Sequence, residues 1–168
     1  MAVQTLQLTR RPLPAMLVYL AAVTAVASLG GLATAAGQGA DGWYDQADKP
    51  FFTPPGALFG PVWTTLYVAM AVAAWRISRL RDVAPEQVRT LLRLWWLQLG
   101  LNLLWTPLFF AARWLEAGLV DILVLDVVVA VLVVKAWRVD PVASGLLAPY
   151  LGWVLFATAL TAGFVVLN

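Results

Sequence analysis

The chain has 168 residues, of which 62% are hydrophobic and 12% are charged, and its net charge is +2. Soluble domains are roughly 45–50% apolar and about 25% charged, so the composition excludes an ordinary soluble domain and predicts an integral membrane protein. The length allows about five spans of roughly 20 residues in a lipid bilayer. So small a net charge gives no indication of a nucleic-acid partner.

The sequence contains neither cysteine nor histidine. Without cysteine there is no disulfide, no thiolate nucleophile and no sulfur ligand for a metal. Without histidine the commonest metal ligand, the commonest general base and the usual axial ligand of haem are missing. We therefore predict no metal site, no obligatory cofactor and no conventional hydrolytic or redox catalysis. About half of the nine tryptophans are expected to be interfacial anchors.

The first predicted span covers about residues 15–36 and follows Arg10 and Arg11. A basic start before an apolar run is also typical of a cleaved signal peptide. The run is longer than the roughly 7–15 residues of a signal core, which favours a retained helix. The second half of this span carries a small-residue patch, which lets helices pack closely in lipid. Its members are Ser28, Gly30, Gly31, Thr34 and Ala35.

Residues 37–60 form the one long segment that is not predicted as a span or a short turn. Pro50, Pro54 and Pro55 fix φ and lack an amide donor, which excludes a continuous helix or a central strand. The segment is also rich in rings of the type found at a membrane–water boundary; these are Trp43, Tyr44, Phe51, Phe52 and Phe59. We interpret it as a lid over a binding cavity in the helix bundle.

The second and third predicted spans cover about residues 61–79 and 87–112. Helical spacing places five side chains of the third span on one face; these are Trp95, Gln98, Asn102, Trp105 and Phe109. An unpaired amide such as Asn102 is costly near mid-bilayer. The face is therefore interpreted either as a site of interhelical hydrogen bonding or as a cavity wall, and one amide can serve both purposes.

The fourth predicted span, about residues 117–138, contains Asp121 and Asp126 within apolar sequence. Intramembrane carboxylates usually face a cavity or a partner. Five residues apart on a helix, the two point about 140° away from each other, which makes them a poor paired-carboxylate catalytic site. One is expected to face the cavity and the other a neighbouring helix or subunit. The alternative is a protonated aspartate that donates a hydrogen bond.

The fifth predicted span covers about residues 144–167. Its spacing places five side chains on one face; these are Tyr150, Trp153, Ala157, Thr161 and Phe164. The sequence thus predicts an all-α integral membrane fold, a bundle of five transmembrane helices in a single domain over residues 1–168.

The basic residues predict the orientation of this bundle. With five spans, the N-terminus shares one side with the second–third and fourth–fifth turns, and this side carries nine of the eleven Lys and Arg residues. They are Arg10, Arg11, Arg76, Arg79, Arg81, Arg89, Arg93, Lys135 and Arg138. The other side carries only Lys49 and Arg113. By the positive-inside rule the N-terminus is cytoplasmic, and the lid and the C-terminus lie outside.

An ordered set of motifs covers about residues 20–168. In chain order it comprises Trp43-Tyr44-Asp45, Lys49-Pro50, Thr53-Pro54-Pro55-Gly56, Trp63-Thr64-Thr65-Leu66-Tyr67, Asn102-Leu103-Leu104-Trp105-Thr106-Pro107, Phe109-Phe110, Val120-Asp121, Pro149-Tyr150-Leu151, Trp153, Phe156-Ala157 and Leu160. No single motif is specific, but the ordered set resembles the TspO/MBR family, the tryptophan-rich sensory proteins. The animal members of that family are the translocator protein, or peripheral-type benzodiazepine receptor.

The resemblance implies a bundle of five helices, usually a homodimer, with a cavity beneath the loop between the first two. Members of the family bind porphyrins and tetrapyrrole intermediates, and animal members also bind cholesterol and drug-like ligands. Some bacterial members resemble sensors of tetrapyrrole or stress responses. Others are reported to degrade protoporphyrin in light with the help of cavity tryptophans, whose positions match Trp43, Trp63 and Trp153 here.

This sequence departs from the family pattern at three places. Thr161 stands where the family often has Asn, and Phe51 or Phe52 stands where a Trp is frequent, which would weaken porphyrin stacking or photochemistry. The Leu/Val–Tyr–Lys/Arg pattern proposed for cholesterol is absent after Tyr150, since no Lys or Arg follows Arg138. That pattern is weak when present, so its absence only argues mildly against sterol binding.

The function predicted from these observations is a membrane receptor or sensor that binds porphyrin and similar hydrophobic ligands. The predicted ligand-binding residues are Trp43, Phe52, Trp63, Tyr67, Gln98, Asn102, Trp105, Asp121, Tyr150 and Trp153. The ligand is protoporphyrin IX or haem, and the lack of His and Cys favours metal-free porphyrin over tightly bound haem. Two alternatives stay open: light-dependent degradation of protoporphyrin, and transport of tetrapyrrole or lipid/sterol.

Overall fold

The computed structural model describes residues 13–38 and 42–168. Arg10 and Arg11 of the topology argument, and residues 39–41 of the predicted lid, lie outside this range. Across the described residues the chain is helical, and five helices are long and apolar enough to cross a membrane. The prediction of an all-α bundle with five spans is confirmed.

The helices occur in the order α1 (Leu13–Gly37), α2 (Trp43–Gln46), α3 (Phe59–Ser78), α4 (Pro85–Thr106), α5 (Leu115–Trp137) and α6 (Pro141–Leu167). All except the short α2 are spans. All five spans begin two or three residues earlier than predicted. For α4 and α6 the first residue is a proline, Pro85 and Pro141, which fits the first turn of a helix because its missing N–H needs no partner there. The predicted lid is not wholly irregular, since it contains α2 and a short 3-10 turn, Gly56–Leu58.

The five spans close a ring. α1 packs on α3, α3 on α6, α6 on α5, α5 on α4, and α4 on α1. Buried apolar side chains from all five helices form one main core. Within it Trp95 of α4 has no exposed surface and donates its indole N–H to the carbonyl oxygen of Met70 in α3, at 3.0 Å. Trp95 therefore joins two helices rather than facing a cavity.

The end of the ring opposite the lid is held by one carboxylate. Asp140 accepts hydrogen bonds from the backbone N–H groups of Val142 and Ala143, at 3.0 and 3.2 Å, and so caps the N-terminus of α6. Its two oxygens also accept from Nε and Nη2 of Arg76 in α3, at 3.0 and 3.1 Å. This bidentate pair fixes α6 against α3 at the point where α6 begins.

The lid end of α4 widens into a π-helical turn, Pro107–Ala111. The N–H of Ala112 bonds to the carbonyl of Pro107 at 2.8 Å, and that of Trp114 bonds to the carbonyl of Leu108 at 3.0 Å. The chain then reverses at Arg113, whose φ is 55°. This wide turn presents the carbonyl of Phe110 to the lid, and Gly37 at the end of α1 packs directly against it.

Candidate ligand-binding cavity

A cavity of about 680 Å³ lies inside the ring at the lid end. All five spans and Tyr44 of α2 contribute to its wall. Cavities that bind drug-sized ligands typically measure about 300–1,000 Å³ and are lined mainly by apolar and aromatic side chains with a few polar groups. This cavity has both properties.

The polar part of the wall is a chain of three hydrogen-bonded side chains. The hydroxyl of Tyr67 in α3 donates to Oδ1 of Asn102 in α4, at 2.8 Å. The amide of Asn102 donates in turn to the hydroxyl oxygen of Tyr150 in α6, at 3.3 Å. Asn102 therefore joins three helices and also lines the cavity with Tyr67. In the structure, the Asn102 amide thus forms interhelical hydrogen bonds and is also part of the cavity wall, as both interpretations of the sequence predicted.

Aromatic rings form much of the rest of the wall. Trp63 stacks on Tyr67 with ring centroids 5.3 Å apart and meets Trp153 of α6 edge-on at 6.5 Å. On α4, Trp105 stacks on Phe109 at 5.0 Å. Each of these five side chains lines the cavity. A flat apolar ligand would find ring faces and edges on three sides.

The lid is fixed to the ends of α4 and α6. Trp43 donates its indole N–H to the Phe110 carbonyl of the π-helical turn, at 2.8 Å. Asn168, after α6, accepts from the backbone N–H of Asp48 and donates to its carbonyl oxygen, both at 3.0 Å. Between these points Tyr44 stacks on Phe164 of α6, with centroids 5.3 Å apart.

The ring of Tyr44 closes the lid side of the cavity. Burial raises the pKa of its hydroxyl above the ordinary value, and the neighbouring charge of Asp45 raises the pKa further. The ammonium of Lys49 lies over the ring, 4.9 Å from its centroid. The phenol therefore stays neutral over the physiological pH range, and the lid presents no negative charge to the cavity at this point.

Five of the ten predicted ligand-binding residues line the cavity, namely Trp63, Tyr67, Asn102, Trp105 and Trp153. Tyr150 lies directly behind them, fully buried and bonded to Asn102. These six residues come from α3, α4 and α6, which the ring brings together around the cavity.

The other four predicted residues lie elsewhere. Trp43 is held against α4 by its bond to Phe110, and its neighbour Tyr44 takes its place in the wall. Phe52 is 38% exposed and contacts Phe156 of α6, but it does not itself line the cavity. Gln98 has no exposed surface and lies within the packed bundle beyond the cavity.

Asp121 is the fourth of these residues. One carboxylate was expected to face the cavity and the other a neighbouring helix or subunit; neither lines the cavity, but Asp126 does face a neighbouring helix. Asp126 faces α6, where its Oδ2 accepts from the hydroxyl of Thr158 at 2.8 Å. Asp121 is buried without lining the cavity, since α5 presents Ile122 and Leu125 there instead. Helical geometry gave the angle between the two carboxylates, but not which way α5 is rotated.

The small-residue patch of α1 has a role that sequence reasoning missed. Its members Ser28, Gly30, Gly31, Thr34 and Ala35 all line the cavity. The patch was visible in the sequence but indicated close helix packing. Of its two glycines only Gly30 is in contact with another helix, because a Cβ there would lie 3.5 Å from the hydroxyl of Thr106, whereas a Cβ at Gly31 would meet no atom within 4 Å.

Gly163 of α6 was also missed by sequence reasoning, and the sequence around it carries no signal of its role. A Cβ there would lie 2.5 Å from Cγ of Pro50, so no side chain fits while the lid is closed. We expect Gly163→Val to displace the lid and to raise amide hydrogen exchange of Asp48 and Thr53 about tenfold, since opening then costs less. Gly152→Val on the same helix is the control, because a Cβ there meets nothing within 4 Å. Unchanged exchange in Gly163→Val would show that the contact does not hold the lid.

Comparison with known proteins agrees with this architecture. The sequence model of the TspO/MBR family matches residues 18–167. The chain is 42% identical to the tryptophan-rich protein TspO of Archaeoglobus fulgidus, over 88% of this chain and 92% of that protein. It is 39% identical to the human translocator protein, over 70% of each chain, and 35% identical to the tryptophan-rich sensory protein of Cereibacter sphaeroides, over 90% of each. A family match that spans all five helices, together with these relatives, shows that the chain is a multi-pass membrane protein of the TspO/MBR family.

Proposed function

We propose that this protein is a membrane receptor or sensor that binds a porphyrin, or a similar flat hydrophobic ligand, in the cavity beneath the lid. The observation that carries the proposal is the cavity itself, whose aromatic wall surrounds the hydrogen-bonded pair of Tyr67 and Asn102. The names of the relatives, tryptophan-rich sensory protein among them, support the same class of function.

Each part of a tetrapyrrole has a counterpart in this wall. Its flat apolar macrocycle suits the ring faces of Trp63, Trp105 and Trp153. Its peripheral carboxylates suit the Asn102 amide. Because the sequence contains no His or Cys, haem would lack its strong axial ligands, so we expect metal-free porphyrin to bind more tightly than haem.

The orientation and the oligomeric state belong to the same proposal. The N-terminus is cytoplasmic and the lid lies outside, which is supported by the concentration of Lys and Arg at the ends of the spans opposite the lid. The resemblance to the family supports a homodimer.

The test is a titration of the purified protein with protoporphyrin IX in the dark, in which binding is measured by the quenching of tryptophan fluorescence. We expect saturable quenching, with affinity about tenfold weaker in Trp63→Leu and in Trp153→Leu because each loses a ring face. Trp114→Leu is the matched control, since Trp114 is 63% exposed and lies outside the cavity. Absence of saturable binding by the unmodified protein, or equal loss in all three variants, would contradict the proposal.

Light-dependent degradation of protoporphyrin is the second candidate function. It is favoured by the edge-on contact of Trp63 and Trp153 within the cavity, at 6.5 Å. Repeating the titration under illumination separates the two functions. Conversion of the bound porphyrin that stops in Trp63→Leu and Trp153→Leu would favour the enzyme, and a spectrum unchanged by light would favour the receptor.

A further inference from the structure

Exposed residues in the cavity wall indicate an opening between α1 and α3. The wall there consists of one row of residues from each helix. Neighbouring members of a row are three or four residues apart in the chain, so each row lies on a single face of its helix. All seven residues line the cavity and are also exposed. We call this opening the α1–α3 gap; its residues are Thr24, Ser28, Gly31 and Ala35 of α1 and Gly60, Thr64 and Val68 of α3.

The α1–α3 gap is limited to the half of the bundle nearer the lid. Farther from the lid, Ala71 follows Val68 on the same side of α3 and has no exposed surface, as is also true of Ala74. Tyr19 and Val23 of α1 are buried in the same core. The two helices thus pack tightly at one end and leave space at the other. Because both are membrane spans, the opening faces lipid.

The residues of the α1–α3 gap are mostly small, and none of them is charged. A Cβ at Gly31 or at Gly60 would meet no atom within 4 Å, so there is room between the helices. The hydroxyl of Thr64 donates to the carbonyl of Gly60, at 2.9 Å, and is therefore already bonded within α3. Such a surface suits hydrocarbon or the apolar edge of a ring system.

The lid side is more firmly closed than the α1–α3 gap. Three contacts hold the lid, namely the Trp43 bond to Phe110, the paired bonds between Asp48 and Asn168, and the fit of Pro50 against Gly163. Access from water would require these to separate. Access through the α1–α3 gap breaks no hydrogen bond in the described structure.

We propose that the α1–α3 gap is a lateral entrance, through which an amphipathic ligand dissolved in the bilayer reaches the cavity with its apolar edge first. This inference rests on the proposed function and adds the route and the source of the ligand. The ligand is drawn from the membrane and not from water, so its partition into the bilayer sets the concentration that the cavity meets.

The test measures binding kinetics in the dark, with the protein in lipid nanodiscs and protoporphyrin IX delivered from vesicles. Gly31→Leu and Thr64→Phe would fill the α1–α3 gap. Gly100→Leu is the control for the first, because Gly100 is exposed on α4 with nothing near its Cβ position. Thr65→Phe is the control for the second, because Thr65 is exposed and bonds to its own helix at 2.9 Å, as Thr64 does, but lies outside the cavity.

We expect both gap variants to slow association by about tenfold and to slow dissociation as well, because a ligand crosses the same entrance in both directions. Both controls should keep the unmodified rates. Faster dissociation with normal association would mean that the new side chains only occupy the cavity, and would overturn the proposal.

Unchanged rates in the gap variants would also overturn the proposal. If Asn168→Ala alone accelerated binding, the route would lie beneath the lid. In either case saturable binding would persist and the proposed function would stand. Absence of saturable binding by the unmodified protein would overturn the proposed function and the entrance together.

Discussion

Replacing Asp140 by alanine is expected to lower the free energy of unfolding by about 3 kcal/mol, since a helix cap contributes about 1 kcal/mol and hydrogen bonds to a charged group about 1.5–3 kcal/mol. Asp140 caps α6 and binds Arg76 through both carboxylate oxygens. Its side chain is only 8% exposed, so water replaces little of what is lost. Unfolding in mixed detergent–SDS micelles measures the difference.

Asp140→Ser separates the two contributions. Serine is a good N-cap but cannot form the bidentate pair, so this variant should recover about 1 kcal/mol relative to alanine. Equal stability of the serine and alanine variants would mean that the cap contributes nothing. If Asp140→Ala lowered the free energy of unfolding by less than about 0.5 kcal/mol, the range of ordinary surface substitutions, the Arg76–Asp140 pair would not stabilise the contact of α3 with α6.

Replacing Gly37 by alanine is expected to destabilise the protein by about 2 kcal/mol, in the range found for overpacked sites. A Cβ at Gly37 would lie 2.5 Å from the carbonyl oxygen of Phe110 and 3.1 Å from its carbonyl carbon. These are backbone atoms and cannot turn aside as a flexible side chain can. The same oxygen accepts the Trp43 indole N–H, so the displacement should also loosen the lid.

Gly31→Ala on the same helix is the matched control. A Cβ at Gly31 meets nothing within 4 Å, so alanine should stabilise α1 by about 1 kcal/mol through its higher helix propensity. Stability changes of opposite sign at two glycines six residues apart would separate the effect of packing from that of helix propensity. A stabilising effect at both positions would show that α1 and the π-helical turn are not in close contact.

The main architecture could be predicted from the sequence because a bilayer constrains it strongly. Five apolar runs of spanning length are five helices, since only helices and closed barrels satisfy backbone groups in lipid. The hydrogen bonding of Asn102 to other helices could also be predicted, because an amide at mid-bilayer needs a partner. Tyr67 and Tyr150 supply its partners, and both were predicted site residues.

The unpredicted features depend on helix rotation and on tertiary fit. The π-helical turn decides which lid ring faces inward, so Tyr44 lines the cavity and Trp43 does not. The rotation of α5 turns Asp121 away from the cavity and Ile122 toward it. The fit of Gly163 to Pro50 joins residues far apart in the chain, and neither residue shows a local signal of it.

The order of the helices around the ring has a consequence for biosynthesis. α6 is made after the other spans, yet it lies between α3 and α5 in the closed ring. It supplies Trp153 to the cavity and Asn168 to the lid. Chains grow from the N-terminus, so a nascent protein that ends before α6 has an open bundle with an unclosed cavity and a lid without its anchor. The closed cavity and the anchored lid should therefore arise together in a single late step, when α6 inserts between its two neighbours.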